Sequence, residues 1–125
     1  MTTLEIIVDG GCRGNGTDNA QMYGSAFVNA DQGVWKTWEF GLGTNNRAEY
    51  LSLIESLKYV AEFHCRDIVI KTDSELVRNQ ISGQWKIKEP SLRPLVFEAR
   101  TLLEMFNSWK IVHISGVDMK AILGH

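Results

Sequence analysis

The sequence predicts an α/β domain built on a mixed five-stranded sheet, an antiparallel meander extended by parallel strands and flanked by helices. Three observations carry this. Short β-branched runs recur at the start, middle and end of the chain, and apolar residues switch to a helical period between residues 47 and 63 and again after residue 91. The resulting order is β-β-β-α-β-α-α-β. Three strands before any helix make a meander, and the helices that then separate single strands supply the crossovers that parallel pairing needs.

Leu4-Glu5-Ile6-Ile7-Val8-Asp9 reads as a buried first strand that stops at Gly10-Gly11. The polar, glycine-rich stretch from Cys12 to Asn19 follows as a loop. Met22 to Ala30 and Gly33 to Phe40 read as two strands of a hairpin joined at Asn29–Gly33, with Trp35 and Trp38 read as packing residues, or, if one is exposed, as the mark of a partner surface. From Arg47 to about Phe63, Tyr50, Leu53, Ile54, Leu57 and Ala61 fall on one helical face. Asp67 to Thr72 is another strand, and Ser74 to Ile81 a short helix with Gly83 placed to end it. Ser91 suits the cap of a longer helix with the stripe Leu92, Leu95, Val96, Ala99, Leu102, Leu103 and Phe106. Pro94 lies in its first turn, where a missing N–H costs little. Trp109 to Ile114 closes as the fifth strand.

A chain of 125 residues is the size of one domain, so residues 1–125 are expected to form a single unit. With 44% hydrophobic and 22% charged residues it has the material for one core and is not of the disordered class. A formal charge of −2 excludes gripping a polyanion by bulk positive charge, so any nucleic-acid contact has to be local. Two cysteines make no disulfide framework, no apolar run approaches the ~20 residues of a membrane span, and Met1–Glu5 has no signal-peptide pattern. The expectation is a cytoplasmic protein, without membrane contact, and a monomer by default.

If strands one and four are parallel neighbours, their C-terminal ends lie side by side, where open α/β sheets place their sites. Asp9 and Asp73 stand at those ends, and Glu49, in the first turn of the long helix, is a third carboxylate able to point at the same edge. Such a cluster repels itself, and hard divalent cations with oxygen ligands resolve the repulsion. Each residue also has an ordinary reading. Asn46 and Glu49 have the spacing of a capping pair, Asp73 precedes a helix as a cap would, and Asp9 before two glycines suits a turn. Taken singly, capping is the simpler account of Asp73, and Glu49 divides evenly. Taken together with their flanking segments, the three favour a site.

Those flanking segments carry a resemblance. Asp9-Gly10-Gly11-Cys12-Arg13-Gly14-Asn15-Gly16 resembles the opening motif of type 1 ribonuclease H, Thr44-Asn45-Asn46-Arg47-Ala48-Glu49-Tyr50 its second motif, and Thr72-Asp73-Ser74 its third. They occur in the right order, on the expected elements, across nearly the whole chain. The resemblance implies the ribonuclease H-like fold. It also implies a metal-dependent endonuclease that hydrolyses the RNA strand of RNA–DNA hybrids to 5′-phosphate and 3′-hydroxyl products. Two ions, Mg²⁺ or Mn²⁺, would be held by Asp9, Glu49 and Asp73, with Asp9 bridging and Glu49 also sensing the ribose 2′-OH. Gly10, Gly11 and Asn15 match RNA-strand contacts, their glycines giving backbone N–H groups a close approach. Thr44 matches a DNA-phosphate contact, and Asn45 and Asn46 match residues that face the minor groove of the hybrid. Another nuclease or an integrase of the wider superfamily is the more distant alternative, since its acidic residues are spaced differently.

Gly83 to Ser91 has two readings. Trp85, flanked by Lys86 and Lys88, suits a DNA strand held by stacking and charge, or a tryptophan packed beneath the next helix. The basic protrusion that some members insert here is missing, which implies weaker hybrid affinity. Cys12 reads as a free thiol, His64 as a residue at a helix end, and His113 as structural. After Val112-His113-Ile114-Ser115 the chain departs from the family's fourth motif. The expected Asp falls near Ile122 or Leu123, and the usual C-terminal helix is expected to be absent, as in a truncated or altered terminus. Asp118 comes too early and reads as the cap of a short final turn; His125 is the other candidate fourth ligand, and the remaining possibility is none. One fewer ligand predicts weak, Mn²⁺-shifted activity, or a hybrid- or RNA-binding module that cuts poorly or not at all.

Overall fold

The computed structural model describes residues 3–14, 17–29, 33–63 and 67–123. Strands β1 (Thr3–Arg13), β2 (Gln21–Val28) and β3 (Val34–Leu42) form the antiparallel meander. Strands β4 (Asp67–Thr72) and β5 (Ser108–His113) add parallel to the other side of β1, so the sheet runs β3-β2-β1-β4-β5. The expected mixed sheet, its meander and the β1–β4 pairing are therefore present, and β5 takes its place beside β4.

The first strand does not stop at Gly10-Gly11. It continues to Arg13 because β2 keeps pairing with it, Gly10 opposite Gly24 and Gly11 opposite Tyr23. The glycines there serve close packing. A Cβ at Gly10 would stand 2.5 Å from the Ala48 carbonyl oxygen, so the helix above rests directly on the strand.

That helix, α1, spans Asn45–Val60 and buries Tyr50, Leu53, Ile54, Leu57 and Val60 against the sheet. Ala61, expected on the buried face, is only half-buried at its C-cap. Ser52 and Ser56 are also buried, each hydroxyl donating to the carbonyl one turn back at 2.7 Å. Small side chains that satisfy themselves in this way allow the helix to lie tight on the glycine-bearing strands. Helices α2 (Glu75–Ile81) and α3 (Arg93–Leu103) complete this layer, and Val77, Ile81, Val96, Ala99 and Leu103 join Ile6, Val8, Ile68 and Ile70 in one core.

Two termini differ from the sequence reading. Ser91 does not cap α3: a 3-10 turn, Pro90–Leu92, intervenes, and the Ser91 hydroxyl donates to Glu89 at 2.9 Å. After β5 the chain forms a helix, α4 (Gly116–Leu123), where only a short turn was expected. Ser115, not Asp118, caps it, its Oγ accepting the Asp118 N–H at 3.0 Å and its carbonyl accepting the Met119 N–H at 2.9 Å. Met119 is buried against Ile7, which points to the opposite face of the sheet from Ile6 and Val8, and that contact anchors the helix. Ala30 to Gln32 of the predicted hairpin turn, together with Asn15, His64, Cys65 and His125, lie outside the described residues. Among the described residues no helix is long and apolar enough to cross a membrane.

Candidate functional site

Parallel pairing of β1 with β4 sets Val8 opposite Thr72, so Asp9 and Asp73 follow side by side where that ladder ends. Asp73 lies just past the end of β4, whereas Asp9, expected at a strand end, lies within β1, which continues to Arg13 along β2. Glu49 reaches that end from α1, which Gly10 holds against the strand through Ala48. One carboxylate oxygen from each of Asp9, Glu49 and Asp73 lies within 4.8 Å of the others. Residues 40 and 24 positions apart in sequence are brought together by backbone pairing and one close helix contact.

The capping accounts of these carboxylates do not hold. The N-cap of α1 is Thr44, whose Oγ1 accepts the Arg47 N–H at 3.3 Å, so Asn46 and Glu49 make no capping pair. The N-cap of α2 is Ser74, whose Oγ accepts the Val77 N–H at 3.2 Å, which leaves Asp73 outside the cap. Asp9 opens no turn, since β1 runs past it.

Electrostatics point the same way. The Gly10 N–H donates to the Glu49 carboxylate, yet burial first, then the charges of Asp9 and Asp73, push the Glu49 carboxyl up to about 9. Its Oε2 is buried without a hydrogen-bond partner. A buried acceptor with no donor, beside two further carboxylates, is the donor set a hard divalent cation takes, so the residues fit such an ion.

Around the cluster the predicted contact residues fall in different places. Gly10 and Gly11 are both buried, Gly10 under Ala48 and Gly11 under the Tyr23 ring. Thr44 is exposed, and a cap that accepts a hydrogen bond leaves its O–H free to donate outward. Asn45 is exposed. Asn46 lines a cleft of about 610 Å³ with Leu76, Gln80, Trp85, Lys86 and Lys88. Trp85 is 48% exposed on this cleft, so it is not packed beneath α3; Ile87 packs against the core instead. The Cys12 thiol, raised by burial, donates to the Gly43 carbonyl at 3.4 Å. His113 sets its Nε2 3.2 Å from the Asp73 carbonyl oxygen, a structural contact at the strand end. Gly116, the first residue of α4, lies beside Asp73, its Cβ direction 3.9 Å from Oδ2, whereas Asp118 is exposed and outside the carboxylate cluster.

Sequence reasoning missed two features. Gln80 is 2% exposed, and its Oε1 accepts the Tyr50 hydroxyl at 2.7 Å. The signal available was Tyr50 itself, because a tyrosine on an apolar helix face requires a partner for its O–H. The second is Tyr23, its ring under the Arg13 guanidinium at 4.8 Å, while Arg13 Nη1 donates to both Glu39 oxygens at 3.1 and 3.2 Å. Burial, then the Asp9 charge, raises the Tyr23 phenol, which places it electrostatically beside the cluster.

Comparison with known proteins locates this arrangement. A family model described as reverse transcriptase-like matches residues 8–118. A ribonuclease HI of Halobacterium salinarum is 39% identical over 108 residues, 85% of this chain and 53% of that protein. A bifunctional protein of Mycobacterium tuberculosis is 36% identical over 104 residues, 81% of this chain and 28% of its own length. The chain thus spans about half of the first of these relatives and less of the second. Among solved structures, the RNase H1 of Halobacterium salinarum superposes with a TM-score of 0.85 at 30% identity, covering 95% of this chain and 90% of that one. An RNase H1 named LC11, solved in complex with an RNA/DNA hybrid, gives 0.82 at 25% identity, covering 94% and 89%.

Proposed function

This chain belongs to the type 1 ribonuclease H family, and on that premise we propose that it hydrolyses the RNA strand of RNA–DNA hybrids to 5′-phosphate and 3′-hydroxyl products. The observation that carries the reading is the convergence of Asp9, Glu49 and Asp73 within 4.8 Å, with the Glu49 Oε2 buried and unpartnered. These three residues hold the divalent cation on which the family depends, in our reading two ions of Mg²⁺ or Mn²⁺. When bound, such an ion supplies Lewis-acid polarisation of a phosphate and lowers the pKa of water at the site.

The chain's own residues do the rest. Asp9 and Asp73 fix the site to the sheet, and the Gly10 N–H orients the Glu49 carboxylate at its inner edge. Glu49 is positioned to recognise the 2′-OH that separates RNA from DNA. Asn45 and Asn46 present amides to the minor-groove side, and the Thr44 O–H is free for a phosphate. Trp85, Lys86 and Lys88 form an exposed wall across the cleft from Asn46, suited to the DNA strand by stacking and charge.

A second reading, a hybrid-binding module that cuts weakly, is favoured by one observation. Ile122 or Leu123 stands where the family's fourth carboxylate is expected, and Asp118 lies outside the cluster. The two readings separate in one assay. Purified protein with Mn²⁺ is expected to cleave the labelled RNA strand of a hybrid while single-stranded RNA and duplex DNA stay intact. An intact hybrid, bound but uncut, establishes the second reading.

A further inference from the structure

We propose that Gln80 is a positioning residue for nucleic-acid binding: its buried amide sets the Trp85–Lys88 wall at a fixed distance from the Asn46 face of α1. The inference rests on the hybrid-binding reading above. The segment after α2, Ser82–Glu89, has neither strand nor helix to hold it. It turns at Gly83, which has φ +82°, and the Gln84 and Trp85 N–H groups donate to the Asn79 carbonyl at 2.8 and 3.0 Å. Beyond that turn, Ile87 packs against the core and the Gln80 Nε2 donates to the Lys86 carbonyl at 3.3 Å.

The other end of the same amide is tied to α1, where Gln80 Oε1 accepts the Tyr50 hydroxyl at 2.7 Å. Tyr50 stands one helical turn beyond Asn46, on the same face. The Gln80 backbone is held as well, its carbonyl accepting the Arg100 Nη2 at 2.6 Å. One buried side chain therefore bridges the two walls of the cleft, and neither bond reaches the carboxylate cluster. Exposed lysines bind phosphate as point charges, and their contribution depends on where the backbone beneath them is held.

The test is a double-mutant cycle on the full chain, read as binding of a fluorescein-labelled hybrid without divalent metal between about 50 and 200 mM salt. Lys86→Gln with Lys88→Gln is expected to weaken binding and make the slope of log affinity against log salt shallower by about 1 for each lysine–phosphate pairing removed. Gln80→Met is expected to weaken binding in the same way, with a shallower slope. Added to the lysine double variant it is expected to cause little further loss, because it acts through those lysines. Tyr50→Phe, which removes the hydroxyl and leaves the ring, reads the same arm should Gln80→Met not fold, and is expected to shift the slope in the same direction. An unchanged salt slope in the folded variant, or losses that add in full to those of the lysine variant, overturns the proposal. If the wild type shows no salt-dependent hybrid binding, the functional reading falls with it.

Discussion

The end of the β1–β4 ladder, which carries Asp9 and Asp73, and the segment from Ser82 to Glu89 are both proposed to face nucleic acid, but they are held by different means. The carboxylate end is fixed by main-chain pairing on both sides of β1 and by a helix resting on Gly10 with no space for a Cβ. The segment beyond α2 has no ladder and depends on a turn, one apolar anchor and a side-chain amide. Backbone pairing fixes the Cα positions of Asp9 and Asp73 through the ladder itself, whatever the surface side chains around them. Side-chain anchoring is adjustable. Substitutions at the carboxylates are therefore expected to alter chemistry, and substitutions around Gln80 to alter affinity and its salt dependence.

The sharpest break in this contrast comes from the carboxylates. Asp9→Asn, Glu49→Gln and Asp73→Asn each remove a proposed ligand charge while keeping shape, and each is expected to lower hybrid cleavage by more than about 100-fold, beyond what loss of an outer-shell partner costs. Their metal-free melting temperatures are expected to hold or rise, because a repulsive cluster is relieved. A variant that cleaves normally and melts lower assigns that residue a purely structural role.

Gly10→Ala tests the packing that delivers Glu49. Its new Cβ meets the Ala48 carbonyl oxygen at 2.5 Å, and backbone on both sides cannot yield cheaply. A loss of about 1–3 kcal/mol in urea unfolding is expected, with reduced cleavage as α1 is displaced.

A smaller effect sits in the pH dependence of the metal-free protein. Glu49 titrates at about 9 in the fold against an ordinary 4.5, so between those values the folded state keeps a proton that the unfolded chain has released. Stability in chelator is therefore expected to fall as pH rises from 4.5 toward 9, and Glu49→Gln to flatten that slope. Thermal melts across this range check the sign. Asp118→Ala gives the smallest effect, a rate within about twofold of wild type, since an exposed first-turn residue outside the cluster has little to lose. A large loss without unfolding identifies Asp118 as a ligand.

The strands, the long helix and the three carboxylates were legible because each is written locally, in β-branched runs, a change of period at Arg47 and charges that follow those runs, whereas the place of β5 beside β4 was not. What the sequence left open was decided by neighbours. Thr44 and Ser74 outcompeted Asn46 and Asp73 as caps through geometry of a single turn, which residue type alone does not rank. β1 ran past Gly10-Gly11 because β2 offered it partners, although a glycine pair normally signals a break. The helix at Gly116 was missed since its stability rests on Met119 reaching Ile7, a contact between residues more than a hundred positions apart. The Gln80 bridge was invisible for the same reason, being a pairing of side chains 30 residues apart.

The central claim is that Asp9, Glu49 and Asp73 together hold a divalent cation, which takes the place of the proton on Glu49. Calorimetric titration of Mn²⁺ into the metal-free protein at pH 7, in buffers of different ionisation enthalpy, measures this directly. Binding is expected with release of about one proton per protein, and Glu49→Gln is expected to abolish the release and weaken the binding. Binding of equal strength to wild type and Glu49→Gln, with no proton released from either, contradicts the claim.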